Sequence, residues 1–327
     1  MTERSSIPAP VTAVMDAAGN WLALGLGQVE DRLREVARAY GPKLGEDAEA
    51  TLSAGGKRLR PLLVLLCAGP DGGERAVTAA TAVELIHMAT LVHDDVLDQA
   101  DLRRGLPTVF ARVGAERAVA VGDFLLSRAF GELAASDARD EIFTLASASC
   151  DLARGELAQR AAAYDLELSE EAYFDRCRLK TARLFEAACK VGQQSVSADG
   201  AASLSEFGSR VGLAFQMLDD VLDLTGPPER TGKAIGTDLL DGTVTLPLIW
   251  ARQEDPSIAA DGLEGITAQD ALEISQRIVA SGATEKVRAR AADEIVGAKA
   301  ALADSGLDGD EVDLFELIAD GVVERYS

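Results

Sequence analysis

Several things are scarce in this chain. It carries two histidines and four cysteines (Cys67, Cys150, Cys177, Cys189), and the cysteines form no C-x-x-C pair. Each lies in an apolar, helix-like context, so they are expected as buried free thiols in a reducing compartment. No Ser-His or Cys-His arrangement suggests a side-chain nucleophile. Positive charge is also short: the net charge is -22, which argues against a nucleic-acid partner, because phosphate backbones attract dense Lys and Arg. Only seven residues are Lys against 25 Arg, so the place of each Lys is informative. The longest apolar run lies near "PLLVLLCAG", short of the roughly 20 residues a spanning helix needs, and no transmembrane segment is expected. "MTERSSIPAP" lacks a basic stretch followed by an apolar one, which argues against a secretory signal. A cytoplasmic location is expected.

Aromatics make up 5% of the chain, while Ala, Leu, Glu, Asp and Arg are plentiful, a helix-compatible composition. Apolar residues recur at three- and four-residue spacing with no convincing alternation. The spacing predicts helices near 11–40, 47–68, 74–100, 115–135, 138–164, 169–192, 200–224, 239–253, 268–281, 284–304 and 310–324. Turn chemistry separates them at "GPDGGE", "RRGLPT", "SADG" and "TGPPERTGKAIG". The last break follows an acidic motif and carries Lys233, so it reads as an active-site loop rather than a linker. The expectation is all-α: one domain over 1–327, a large helical bundle around a central cavity.

The pentapeptide Asp94-Asp95-Val96-Leu97-Asp98 returns unchanged as Asp219-Asp220-Val221-Leu222-Asp223. On a helix, residues four apart share a face, so Asp94 with Asp98, and Asp219 with Asp223, each make a carboxylate pincer. One such motif in so acidic a chain reads as readily as a solvated helix face. Apolar flanks on both sides place these two near the core, where unpaired carboxylates repel one another and need a cation. Oxygen ligands without Cys or His suit a hard divalent ion. Mg²⁺ typically takes one or two carboxylates plus substrate phosphates, which points to a phosphorylated substrate.

Cations for such a substrate are present. "GGKRLRP" places Lys57, Arg58 and Arg60 after two glycines. Arg103 and Arg104 follow the first acidic motif, where a helix C-terminus would also favour them. Lys180, Thr181 and Gln216 are polar groups on otherwise apolar helical stretches, and His87 lies seven residues before Asp94 on the same face.

Six segments, "GGKRLRP", "HDDVLDQADLRRGLPT", "GDFLLSRAF", "KTARLFEAAC", "FQMLDDVLDLTG" and "GKAIGTDLLDGTVTLP", occur in an order that resembles the trans-isoprenyl diphosphate synthases, the polyprenyl synthetase family. The resemblance covers roughly residues 50–250. It implies a helical bundle, usually a homodimer, with the two acidic motifs facing each other across a deep cavity. It also implies Mg²⁺-dependent, sequential head-to-tail condensation of isopentenyl diphosphate onto an allylic diphosphate (dimethylallyl, geranyl, farnesyl or geranylgeranyl). Carried over by position, Asp94, Asp98 and Asp219 hold Mg²⁺ on the allylic diphosphate, with Asp95, Asp220 and Asp223 in support. Arg103, Lys180, Thr181, Gln216 and Lys233 contact that diphosphate. Lys57, Arg60, His87 and Arg104 hold isopentenyl diphosphate.

The growing chain is expected to run down the helix "TAVELIHMATLVHDD", where Ala89 and Thr90, both small, lie about one turn below Asp94. Short-chain members resemble one another in carrying bulky aromatics there, and many carry Lys at the position of Thr243. Both features favour a product longer than farnesyl, although Leu85, Met88, Phe124 or Phe130 could set the floor. A short-chain (farnesyl or geranylgeranyl) synthase and a regulatory subunit of a heteromeric synthase are the alternatives; the latter generally has degraded aspartate motifs. A class I terpene cyclase would usually lack the second motif and "GGKRLRP".

Overall fold

The structure is a computed structural model that describes residues 9–39, 51, 58–103, 105–196, 202–226 and 234–324. Within these the chain is a stack of helices. They are α1 (Ala9–Ala18), α2 (Asn20–Arg38), α3 (Leu59–Ala68), α4 (Gly73–Leu97), α5 (Val109–Val113), α6 (Ala115–Ala135), α7 (Arg139–Ala161) and α8 (Glu170–Cys177). After a π-helical turn at Arg178–Ala182 follow α9 (Arg183–Gln194), α10 (Ala202–Thr225), α11 (Thr237–Leu240), α12 (Leu246–Glu254), α13 (Ala268–Ala280), α14 (Ala283–Ala301) and α15 (Gly309–Glu324).

Several expected helices are interrupted, each for a local reason. The first breaks at Gly19, whose φ of 77° suits glycine. The stretch 169–192 passes through the π turn, and 239–253 divides around Gly242, whose φ is 70°. The helix carrying the first motif stops at Leu97. Arg103 therefore sits in a two-stranded antiparallel hairpin, Leu102–Arg103 against Leu106–Pro107, rather than at a helix end. Strands of two residues are too short to show alternation in sequence. Of the four free cysteines, Cys67, Cys177 and Cys189 are buried as expected, but Cys150 is exposed on the outer face of α7.

The core runs through α3, α4, α9 and α10, with Leu62, Leu63, Leu85, Ile86, Phe185, Phe207 and Met217 essentially inaccessible. The segment Pro70–Leu97 is long and apolar enough to cross a bilayer, a feature that inspection for apolar runs overlooks because small Ala and Thr residues dilute it. Burial of 78% of its apolar window shows where that hydrophobicity goes: α4 is the central post of the bundle.

Two backbone approaches fix the polar turn between α8 and α9. A methyl group at Gly155 of α7 would lie 2.6 Å from the Lys180 amide nitrogen, and one at Gly212 of α10 would lie 2.8 Å from Ala182 Cα. Glycine at both positions lets α7 and α10 press on the π turn from two sides. The turn itself shifts the register of its side chains, as π bulges at working sites often do.

Candidate active site

Within α4, nearly every residue from Ala76 to Asp95 is buried. The partly exposed ones are His87, Thr90, Leu91, His93 and Asp94. All but His93 fall at i, i+3, i+4 and i+7, a single helix face about 10 Å long ending at the first acidic motif. His93 points elsewhere, its Nε2 3.3 Å from Asp123 Oδ1 on α6. On α10 the partly or fully exposed residues between Val211 and Leu224 are Phe215, Gln216, Asp219, Leu222 and Asp223, again one face. Each acidic motif thus ends an accessible stripe on an otherwise packed helix.

The π turn joins the two stripes. Lys180 Nζ is paired with Glu156 of α7 and pulls on the charge of Asp94. The neighbouring Thr181 Oγ1 donates to Gln216 Oε1 at 2.6 Å, and Gln216 Nε2 donates to Asp220 Oδ1 at 2.7 Å. One short polar path therefore runs from the first motif to the second.

The second aspartate of each motif is turned inward. Asp95 is buried and accepts from Arg103 Nε at 2.8 Å. Asp220 is buried too, its second oxygen accepting from the Tyr173 hydroxyl at 2.6 Å. Asp94, Asp98, Asp219 and Asp223 remain on the accessible side. Asp98 is paired with Arg160, which also donates to Glu156 at 2.8 Å. Asp223 accepts from the Asp238 amide at 3.2 Å, so the start of α11 returns over the second motif.

Burial pushes the Asp94 carboxyl up to about 6, against the pull of Lys180 and Arg103 and with added repulsion from Glu156 and Asp98. Asp220 is pushed up to about 7, by burial first and then by Asp238, while hydrogen bonds from Tyr173 and Gln216 oppose the rise. Burial also acts to raise Glu156, but Lys180 and Arg160 outweigh it and hold this acid below its usual value. A bound cation would oppose that rise and favour the charged form of Asp94.

The expected cations divide by place. Arg60 lies on α3 with its guanidinium 4.4 Å from the centre of the Phe185 ring, and His87 lies on the α4 stripe. Arg58 is engaged elsewhere: its guanidinium is paired with Glu30 and with buried Glu84, at 2.6 Å to the latter. It ties α2, α3 and α4 together, so one of the three cations of "GGKRLRP" serves the fold. Lys57, Arg104 and Lys233 lie outside the described residues. Thr90 is on the accessible stripe, its hydroxyl donating to the His87 carbonyl at 2.7 Å. Ala89 is buried at 1% exposure and points away from that stripe. Leu85 and Met88 are core residues, whereas Phe124 and Phe130 on α6 are partly buried.

Sequence reasoning passed over Glu156, Arg160 and Tyr173. Two signals were available: Glu156 and Arg160 are an i, i+4 pair, and Tyr173 lies seven residues before Lys180 on a helical stretch.

The sequence profile of the family described as polyprenyl synthetase matches residues 42–279. The chain belongs to the polyprenyl synthetase family. Heptaprenyl diphosphate synthase component 2 of Geobacillus stearothermophilus is 42% identical to it over 269 residues, 80% of this chain and 84% of that protein. Octaprenyl diphosphate synthase of Escherichia coli K12 is 37% identical over 260 residues, 77% of this chain and 80% of that one. Among solved structures, polyprenyl synthase from Caulobacter crescentus CB15, complexed with calcium and isoprenyl diphosphate, superposes with a TM-score of 0.88 at 35% identity. That likeness covers 99% of this chain and 100% of the other. The chain is accordingly an all-α prenyltransferase, a trans-polyprenyl diphosphate synthase, and the family works on diphosphates with a divalent metal.

Its residues fit such a metal. Among the described residues no three Asp, Glu, His or Cys side chains converge enough to cage an ion unaided. The two accessible pincers instead offer carboxylate oxygens from separate helices, which suits a hard ion that takes the rest of its shell from water and substrate phosphate.

Proposed function

We propose that the chain, as one domain over residues 1–327, joins isopentenyl diphosphate repeatedly to an allylic diphosphate and releases a product longer than farnesyl diphosphate. The observation carrying this reading is the pair of accessible stripes, each ending in an acidic pincer and linked through Lys180, Thr181 and Gln216. Asp94, Asp98 and Asp219, with Asp223, would hold Mg²⁺. When bound, that ion would offset the charge growing on the departing diphosphate.

Lys180 stands beside Asp94 and can exchange Glu156 for a phosphate oxygen. Asp95 and Asp220 support their neighbours from inside. Arg103 is held against Asp95 at the edge of the first motif, within reach of a diphosphate lodged there. Arg60 and His87, with Lys57 and Arg104, are assigned to isopentenyl diphosphate, and Lys233 to the allylic diphosphate. The allylic C–O bond breaks, its electron pair leaving with the diphosphate. The double bond of isopentenyl diphosphate then closes on the freed carbon, and the released diphosphate accepts the proton that is lost. Apolar walls would keep water from the cation, and Phe215, part-exposed one turn before Asp219, would offer it an aromatic ring.

The product then extends from Asp94 past Thr90 of α4. Relatives named as heptaprenyl, nonaprenyl and octaprenyl synthases support the longer product. Purified protein given isopentenyl diphosphate, an allylic primer and Mg²⁺ is expected to release prenyl diphosphates beyond fifteen carbons by chromatography. Farnesyl diphosphate as sole product would overturn the length assignment.

A cytoplasmic homodimer is the proposed setting. Phe143 and Leu157 are 76% and 69% exposed on one face of α7, apolar surface that a second copy would cover. A second reading has specific support, because the Geobacillus relative is named as one component of its synthase. Turnover by the purified chain alone favours the homodimer. Turnover that requires another protein favours the component reading.

A further inference from the structure

Tyr173 is wholly buried in α8, and its hydroxyl donates to Asp220 Oδ2 at 2.6 Å. Gln216 fills the other oxygen at 2.7 Å and is itself held by Thr181 at 2.6 Å. Because the Thr181 hydroxyl donates to the amide oxygen, the amide nitrogen is left to face the carboxylate. The same short helix carries Arg176, 6% exposed, which donates to the Val244 carbonyl at 2.6 Å. This contact draws in the chain just after Asp238, whose amide holds Asp223. Helix α8 thus grips the second acidic motif at Asp220 and, through the 238–244 segment, at Asp223.

A phenylalanine at position 173 would fill the same apolar space. A buried hydroxyl is unfavourable unless it is matched, so its use here lies in what it holds. We propose that Tyr173 is a positioning residue for prenyl transfer, clamping Asp220 so that Asp219 and Asp223 present their oxygens in a fixed direction to the metal-bound allylic diphosphate. The assignment rests on the reading that the second motif grips that diphosphate.

The test is Tyr173→Phe, with steady-state constants measured separately for each substrate and for Mg²⁺. The half-saturating Mg²⁺ concentration, read in turnover and by calorimetric titration of Mg²⁺ with inorganic diphosphate present, and the KM for the allylic diphosphate are expected to rise about tenfold. The KM for isopentenyl diphosphate, bound from α3 and α4, stays within about twofold. Equal rises for both substrates, or no change in any constant, overturn the proposal. Asp220→Asn provides the second arm, since it removes the buried charge that Y173F would leave half-matched and lets the double variant fold. Constants of Y173F/D220N equal to those of D220N support action through Asp220; a further additive loss overturns it. Active wild-type enzyme indistinguishable from Y173F refutes the role of Tyr173 alone. Wild-type protein that forms no carbon–carbon bond from the two diphosphates refutes the underlying reading, and the role of Tyr173 falls with it.

Discussion

Asp98 and Asp101 are both exposed acids at the end of α4, three residues apart. Asp98 shares the accessible face with Asp94 and is paired with Arg160, whereas Asp101 contributes its backbone carbonyl to Thr108 at 3.0 Å in the hairpin. Asp98→Ala is therefore expected to slow turnover by about 10³-fold or more, and Asp101→Ala by less than about threefold. Comparable losses in a steady-state assay would mean that the pincer geometry is wrong. Glu156 yields a pH-dependent outcome. Its carboxyl is held below the usual value, so its contribution to stability is complete above the unfolded value of 4.5 and is lost as pH falls. Glu156→Gln should lower the stability of the metal-free protein by about 1–2 kcal/mol at pH 7.5. The gap from wild type in thermal midpoint should narrow below about pH 4.5. The inward turn of Asp95 and Asp220 was only partly legible. Helical phase separates them from Asp94 and Asp219, but their partners Arg103 and Tyr173 lie 8 and 47 residues away.

At the scale of elements, the π turn decides where Lys180 and Thr181 point, and Gly155 permits it. Gly155→Ala would place a methyl group 2.6 Å from the Lys180 nitrogen, against the Leu179–Lys180 backbone. A loss of about 2–4 kcal/mol is expected by denaturant unfolding, along with most of the activity. Full stability in that variant would show that the turn yields easily. Helix α4 makes a paired prediction. Thr90→Phe obstructs the accessible stripe and should shorten the product while leaving stability within about 1 kcal/mol. Ala89→Phe overfills packed core and should destabilise by about 1–3 kcal/mol. A shortened product from A89F at unchanged stability would put the wall on the other face. The small size of both residues was plain in the sequence. Which of them lines the accessible face followed from phase and packing.

For the whole molecule, the outer face of α7 sets the expected assembly. Phe143 and Leu157 lie fourteen residues apart on that face, with exposed Cys150 midway between them. Replacing both apolar residues with Glu is expected to convert a dimer to a monomer by light scattering, since a charge in an apolar interface loses its hydration. An unchanged mass would place the interface elsewhere. The excess of acid over base, -22, acts against non-specific association, so the proposed dimer would rest on such apolar contact.

The sequence alone determined that the chain is helical, that it holds two matched carboxylate pincers and that its motifs follow a polyprenyl synthetase order. Periodicity and local spacing carry that information within a turn or two of helix. Tertiary structure decided which acid of each motif faces inward, that Arg58 braces the bundle, and that Glu156, Arg160 and Tyr173 belong to the site. Those facts depend on contacts between helices that no local pattern encodes. An apolar chain can pack in only a few ways, and the way it packs chooses the partner of each buried charge.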